Sequence, residues 1–522
     1  MDTAYYRISE IKLSPDDEKS RIPEKICRKL GLEESDIIEW KIVKESIDAR
    51  KKPDIRLVYT VDFLCDKKDI LKRKGAKISL APDETYEMPV CSSKPEKRPV
   101  IIGSGPCGMF AAYVLAHGGA APLVIEQGSS MEKRVKDVEK FWNEGVLDTC
   151  SNVQFGEGGA GTFSDGKLTT GIKDIRIKKI LEVFVKAGAD EQILYKNRPH
   201  IGTDVLRKVV VNIRKEIESL GGAYMFDTRM TEILTEGGAV CGIAVEDTKT
   251  KDPGVIPADF VILAPGHSSR DTIRMLAEKD IKLEQKPFSM GVRVQHPQKM
   301  IDRAQYGDEK LAEKLGPADY KLNCRCSGGR GVYTFCMCPG GEIVRASSEE
   351  GGVVVNGMSY SGRDGEYANS ALLADIKKSD LGSDDPFAGM ELQEKYERLA
   401  FINGGSSYKA PETTWSHFRE DDKAAGPVTG SLPDFVSDAI REAMPHLGKK
   451  LKGFDDPETL MVAVESRSSS PVRILRDNES RQSIPGLFPS GEGAGYAGGI
   501  VSSAVDGMKT AEKVIQAISS RK

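Results

Sequence analysis

The sequence predicts an α/β protein. A Rossmann-like, helix-flanked parallel sheet carries an inserted α+β region and is preceded by a small α+β unit. Three observations lead to this. Residues 99–108, PVIIGSGPCG, set a G-x-G-x-x-G turn (Gly103, Gly105, Gly108) between a short apolar strand and an Ala-rich helix. A second apolar strand, PLVIEQG, ends in Glu126, about 20 residues after the turn. The C-terminal stretch GLFPSGEGAGYAGGIVSSAVDG then reads as strand, glycine loop and long helix.

Composition bounds what such a chain does. Its 522 residues exceed one ordinary domain, and at roughly 150 residues each they suggest about three. Lys+Arg 75 against Asp+Glu 79 leaves a net charge of −4, so no strong field draws the chain to nucleic acid or an anionic membrane. With 39% hydrophobic and 30% charged residues it is globular in type. The opening MDTAYYRISEIK lacks the apolar run of a secretory leader. The 10 cysteines, without small-scaffold spacing, suit a reducing cytoplasm.

Taken in order, residues 1–95 read as a small α+β domain. YYRISEIKL alternates as a strand does. PDDEKSRIPEKICRKLGL sets Ile22, Ile26 and Leu30 at helical spacing, and IIEWKIVKESIDAR and IRLVYTVDFLC read as strands joined by a turn at Lys51–Lys52–Pro53–Asp54. Basic residues at Arg50–Lys52 and Lys72–Lys74 have acidic neighbours, which favours a solvated face over an RNA patch. CSSKPEKRP (91–99) reads as a linker. Residues 96–285 form the first part of the dinucleotide-binding domain, with AYMFDTRMTEIL, AVCGIAVED and ADFVILAPG expected as strands of the same sheet. Residues 286–460, with strand-like GVRVQ, VYTFCMC and GGVVVNG and a helix near 389–402, read as a substrate or cap domain; 461–522 return to the first domain. Pro99–Ile125 has no Asp, Glu, Lys or Arg and the length of a membrane span, but its glycines and prolines break it into strand, turn and helix.

The pattern G-x-G-x-x-G occurs three times, beginning at Gly103, Gly156 and Gly493. Only the first stands between a strand and a helix, and there the physics is specific. Gly103 permits the tight turn, Gly105 lets a diphosphate approach the backbone, and Gly108 lets helix pack closely on strand. Ser104 and Pro106 complete the turn, and the helix N-terminus offers unpaired N–H groups to an anion. Glu126, with Gln127 beside it, is placed to accept hydrogen bonds from ribose hydroxyls.

Further motifs separate NAD from FAD. ADFVILAPGHSS resembles the second flavin-contacting strand of glutathione-reductase-type flavoproteins (Ala264, Pro265, Gly266), with Pro265 in place of the usual Thr. GLFPSGE resembles their C-terminal motif, with Gly491 followed by Glu492 where the family has Asp, a carboxylate that holds the ribityl or ribose part of FAD. The resemblance implies that the helix opening at Gly498, Gly499 and Ile500 aims its N-terminus at the flavin, and that Arg134 sits near the diphosphate. The longer stretches GEGGAGTFSDGKL, RPHIGTD, FCMCPGG, NGMS, ESRSSSPVR and GEGAGYAGGIVSSAVDG resemble a bacterial and plastid family of FAD-dependent dehydrogenases, mostly uncharacterised, over residues 1–522. That implies a GR2-type FAD-binding domain and FAD as cofactor; it names no substrate.

By analogy Gly158 and Gly159 run along the isoalloxazine ring and bring Ser164, Asp165 and Lys167 near it; the alternative is a surface glycine loop. Cys324, Cys326, Cys336 and Cys338 form C-x-C-x9-C-x-C about a turn. A hairpin gathering all four would suit zinc, Cys336 and Cys338 would suit a redox dithiol, and buried structural thiols suit the same pattern. No metal site is assigned. No C-x4-C pair follows the first glycine loop, where Cys107 stands alone, which disfavours a disulfide reductase of the usual type. His200, His267 and His296 are acid–base or structural candidates. Arg293, Arg467 and Arg473 suit an anionic substrate group or ordinary ion pairs.

A second strand–G-x-G-x-x-G–helix unit is absent from the sequence. Either the substrate itself is the electron donor or NAD(P)H binds transiently across the flavin face. The expected protein is a cytoplasmic FAD-dependent oxidoreductase moving a hydride between a small organic substrate and flavin N5, without membrane or nucleic-acid partner. Its rivals are a flavin-dependent RNA modifier, which the −4 charge opposes, a flavin monooxygenase, and a non-enzymatic FAD-bound sensor or scaffold.

Overall fold

A computed structural model describes residues 4–52, 54–67, 70–73, 77–420 and 426–520. Pro53 and Lys74, part of the expected turn and of one basic cluster, lie outside them.

The first glycine fingerprint folds as its pattern dictates: strand Val100–Ile102, helix Pro106–His117, strand Leu123–Ile125. These strands join a five-stranded sheet in the order Leu487–Pro489, Val261–Leu263, Val100–Ile102, Leu123–Ile125, Ala223–Met225, and every pairing is parallel. Parallel neighbours need crossovers, and the helix Pro106–His117 supplies the first. That helix is apolar all round because it is covered all round: residues Cys107 to Ala116 are buried against the sheet, the helix Thr203–Ser219 and the C-terminal helix Ile500–Ser520. A Cβ on Gly507 would lie 2.1 Å from the Cys107 carbonyl oxygen, so glycine is what lets the two helices cross so closely.

AYMFDTRMTEIL and AVCGIAVED do not both return to this sheet. Only Ala223–Met225 does; at Asp227 (φ 51°) the chain turns, and Thr228–Glu236, Ala239–Asp247 and Pro253–Pro257 form their own antiparallel sheet. The two-residue link Gly237–Gly238, with both φ positive, explains this, since a tight hairpin makes only antiparallel neighbours.

Beyond it lies a six-stranded antiparallel sheet ordered Asn323–Arg325, Gly331–Cys338, Tyr367–Ile376, Phe288–Pro297, Leu460–Glu465, Glu412–Thr414. Its own core includes Met290, Val292, Leu372 and Met461, backed by the helix Asp434–Lys450. The boundary placed at 460 falls inside one of these strands; the chain leaves the sheet after Glu465. Leu283–Gln285 and Val472–Ile474 pair as it enters and leaves. The N-terminal unit is a four-stranded sheet, ordered Ile37–Asp48, Arg56–Cys65, Ala4–Leu13, Ile78–Leu80, with the helix Ile22–Leu30 packed on a separate core through Ile22, Ile26 and Leu30.

Candidate functional site

The glycine turns and the antiparallel sheet enclose one cavity of about 610 Å³, within the usual ligand range of about 300–1,000 Å³. At one end it is walled by Glu126, Gln127 and Arg229, in the middle by Gly103, Gly105, Gly159, Ala264 and Gly266, and at the other by Lys167, Cys336 and Glu465.

The fingerprint turn shows why its glycines are glycines. A Cβ on Gly103, whose φ is +96°, would lie 2.3 Å from the Ala264 carbonyl oxygen, and one on Gly108 would lie 1.9 Å from the Gly103 carbonyl oxygen. Gly105 differs: its nearest neighbour would be 3.8 Å away, so its bare backbone faces the cavity. It caps the helix without a side-chain hydrogen bond, which leaves first-turn N–H groups at the cavity for an anion. On the far side, a Cβ on Gly493 would lie 2.6 Å from Gly266, which brings the second flavin-type strand and the C-terminal loop together. His267 lines the cavity with its Nδ1 3.3 Å from Glu492 Oε1, while its Nε2 is buried and has no protein partner. Such an atom fits a ligand that supplies the missing hydrogen bond. Gly498, Gly499 and Ile500 also line the wall, at the start of the C-terminal helix. The open glycine turn, the uncapped helix and the orphaned ring nitrogen suit an elongated dinucleotide such as FAD.

Several expected contacts prove to be supports instead. Arg134 does not line the cavity. It is fully buried, and its guanidinium donates to the carbonyls of Asn152, Val153, Gly156, Glu157 and Gly159, so it shapes the second glycine loop from behind. Gly158, Gly108 and Gly491 likewise serve packing: their added Cβ atoms would meet Thr162, Gly103 and Cys107. Glu126 lies on the wall, yet its oxygens already accept from Ser104 N, Ser104 Oγ, Gly128 N and Gly156 N. A ribose hydroxyl can reach it by displacing the Ser104 hydroxyl, since a carboxylate has about four acceptor sites.

The far end is charged and tightly paired. Asp165 accepts from Lys167 Nζ at 2.5 Å, from Arg363 Nε at 2.9 Å and Nη2 at 2.6 Å, and from Ser359 Oγ. Burial alone would raise its carboxyl, but Lys167 and Arg363 hold it well below the usual carboxylate range. Burial would likewise lower the Lys167 ammonium, and Asp165 with the neighbouring thiols holds it above its ordinary value. His200 stands behind Lys167, joined to it by a backbone bridge and off the cavity wall; burial, with Arg363 nearby, lowers it to about 4, so it is neutral near pH 7. His296 is farther off, stacked on Phe454 and bonded to its carbonyl.

The arginines offered as anion sites are engaged by protein. Arg293, fully buried, binds Glu465, Asn356, Asn369 and the Cys336 carbonyl. Arg467 lines the wall, but its N–H groups go to Glu397 and Ser348. Arg473 pairs with Glu284 through Nη1, while its buried Nε has no protein partner. The four-cysteine cluster does not form either. Cys324 pairs across the hairpin with Val332, which leaves Cys336 and Cys338 at the opposite end of that strand, and no metal-ligand group occurs among the described residues. Sequence reasoning missed Arg363, Glu465 and Asn356. Asn356 and Glu465 open the motifs NGMS and ESRSSSPVR, where the sequence assigns them no role, and Arg363 sits in none; all three arrive from loops and strands far along the chain.

Two family models match the chain: an FAD-dependent protein, C-terminal domain-like, over residues 287–468, and a domain of unknown function over 6–64. An uncharacterised protein of Clostridium beijerinckii is 44% identical over 98% of this chain and 98% of its own. The protein FixC of Azotobacter vinelandii is 25% identical over 45% of this chain and 51% of its own. Among solved structures, glycine oxidase of Bacillus cereus aligns with 81% of this chain and 95% of its own, at 11% identity and TM-score 0.36.

Proposed function

Because the chain belongs to the FAD-dependent protein family that it shares with its clostridial relative, we propose that it is an FAD-dependent oxidoreductase acting on a small organic substrate. The observation that carries this is the single cavity joining the open Gly105 turn to a charged chamber built by the antiparallel sheet. FAD supplies the two-electron chemistry when bound.

The chain's own residues do the rest. The first-turn amides after Gly105 receive the diphosphate, Glu126 holds the turn, and Gly498–Ile500 present a helix N-terminus to the flavin end. Lys167, held charged by Asp165, sits where a negative charge on substrate or reduced flavin would be stabilised. The six-stranded antiparallel sheet, from Phe288 to Glu465, roofs the substrate end. NAD(P)H remains the alternative electron donor, binding across the open face.

The test is the visible spectrum of purified protein, followed by anaerobic addition of NADH or NADPH. A yellow protein bleached by one nicotinamide makes that nicotinamide the donor; a yellow protein left oxidised makes the organic substrate the donor. A colourless protein that takes up no added FAD overturns the reading.

A further inference from the structure

Two thiols on the cavity wall have no part in the function just described. Cys336 and Cys338 are free and flank Met337 at the end of the strand Gly331–Cys338. All three line the cavity that holds the glycine turns. The backbone there departs from a strand. Pairing runs regularly from Val332↔Ala374 to Phe335↔Ala371 and then skips to Cys338↔Asn369, so one extra residue is bulged out. Cys336 itself has φ 43°, an unusual conformation for a residue with a side chain. Bulges of this kind re-aim side chains beside active sites.

The bulge also changes the distance between the thiols. In a flat strand residues i and i+2 lie about 6.6 Å apart, at the long end of the Cα separation of about 4.4–6.8 Å that a disulfide spans. Kinking the strand draws them closer, and Cys338 Sγ already folds back to 3.2 Å from the Cys336 carbonyl oxygen. That carbonyl is held by Arg293 Nη1 at 3.1 Å. Cys336 is exposed at the cavity wall and Cys338 is buried. Desolvation by the surrounding protein pushes the Cys336 thiol up to about 11 and raises Cys338, while Lys167 and Arg293 both pull the other way. The other two cysteines of the motif lie elsewhere: Cys326 Sγ donates to the Ala439 carbonyl, in the core beneath the helix Asp434–Lys450.

We propose that Cys336 and Cys338 are a redox pair that cycles between dithiol and disulfide and exchanges two electrons with flavin bound in the same cavity. On oxidation two S–H bonds break and one S–S bond forms; two electrons and two protons pass to oxidised flavin, leaving reduced flavin. The reverse step opens the disulfide with two electrons and two protons from reduced flavin. Lys167 favours the thiolate through which the exchange proceeds. The pair thus stores electrons between the flavin and a thiol- or disulfide-type partner in the chamber. This rests on the flavin reading above.

The test uses the full chain with its flavin. Trypsin cleaves after Arg330 and Arg345, so the peptide 331–345 carries both cysteines and no other. Protein is equilibrated anaerobically in dithiothreitol buffers of increasing oxidised fraction, blocked with iodoacetamide and digested. In oxidising buffer the peptide is expected unlabelled and lighter by two hydrogens; in reducing buffer it carries two alkyl groups. Photoreduction of the bound flavin should reopen the bridge, whereas cofactor-stripped protein under the same light keeps it closed. Reductive titration of the oxidised holoprotein should then consume twice the electrons of the flavin alone, and Cys336→Ser or Cys338→Ser should each halve that while keeping the flavin spectrum. A yellow protein whose peptide is doubly alkylated in every buffer overturns the proposal and leaves the flavin reading standing. So does a bridge that stays closed when the flavin is reduced. A protein that takes up no FAD overturns the flavin reading, and with it the exchange, whatever the thiols do.

Discussion

Glu126 has no idle oxygen. It ties Ser104 in the fingerprint turn to Gly156 in the second glycine loop, so one carboxylate sets the spacing of both. Glu126→Ala strands buried amides at Ser104, Gly128 and Gly156, at about 1–3 kcal/mol each where no water replaces the acceptor. The expected outcome is a protein destabilised by about 2–4 kcal/mol that releases FAD on dilution, read by urea unfolding and flavin fluorescence. Glu126→Gln keeps an acceptor and should lose less. Lys167→Gln should move alkylation of the 331–345 peptide to higher pH, because it removes a cation that favours the thiolates. An unchanged pH profile would remove Lys167 from that role. His296 gives a stability prediction. Its Nε2 donates to the Phe454 carbonyl, its Nδ1 is buried without a partner, and burial lowers its pKa to about 4. The unfolded imidazole protonates near 6.5, so its contribution is intact above that pH and is lost as pH falls toward 4. Native stability should therefore drop by up to about 3 kcal/mol between pH 7 and 4 from this group. His296→Gln, which keeps a donor for Phe454, should flatten part of the slope in urea midpoints.

At the scale of elements, the helix Pro106–His117 shows two glycines with opposite duties. Gly108 has no room, since its Cβ would lie 1.9 Å from the Gly103 carbonyl oxygen, whereas Gly105 opens on the cavity. Gly108→Ala must push helix from strand and should cost about 2–4 kcal/mol. Gly105→Ala, at φ −65°, should leave the melting temperature nearly unchanged while cutting flavin occupancy at least about tenfold, or 1.4 kcal/mol. Equal losses of stability in the two variants would show that Gly105 is a packing residue and not a phosphate seat. The second glycine loop is held by Arg134 from behind, and a guanidinium bonded only to carbonyls is a scaffold for backbone, not a ligand for phosphate.

Across the whole molecule the N-terminal unit has its own core, distinct from those of the body that follows. It touches the body through a short backbone bridge, Glu45 N to the Tyr195 carbonyl and Asn197 N to the Glu45 carbonyl, each 2.8 Å, through ion pairs such as Lys314 with Asp16, both exposed, and through Ile55, which is buried in the core of the six-stranded sheet with Ala49 packed against it. Exposed pairs contribute little. The segment that follows does pack: Tyr86, Met88 and Cys91 lie against the main helical core. Removing residues 1–81 strips Ile55 and Ala49 from the core of the six-stranded sheet, so the body should keep its flavin spectrum but lose about 2–4 kcal/mol of stability, checked by absorbance, size-exclusion chromatography and urea unfolding. A truncated chain that aggregates without flavin would make the unit part of the body's fold.

The sequence by itself determined the parallel sheet, the position of the fingerprint turn and the small N-terminal unit. These are local matters: a glycine between strand and helix, an apolar run of strand length, Ile22, Ile26 and Leu30 at helical spacing. It also marked Cys336 and Cys338, through a spacing that a strand would bring to one face. What it did not determine was which side chains face the cavity. Arg134, Arg293 and Arg467 are arginines near glycine loops and polar runs, and all three turn out bonded to protein. Arg363 reaches Asp165 across 198 positions of chain and was invisible. Only the tertiary structure decided these, because the role of a buried charge is set by the partners that reach it first, and those partners come from strands and loops that local periodicity does not connect.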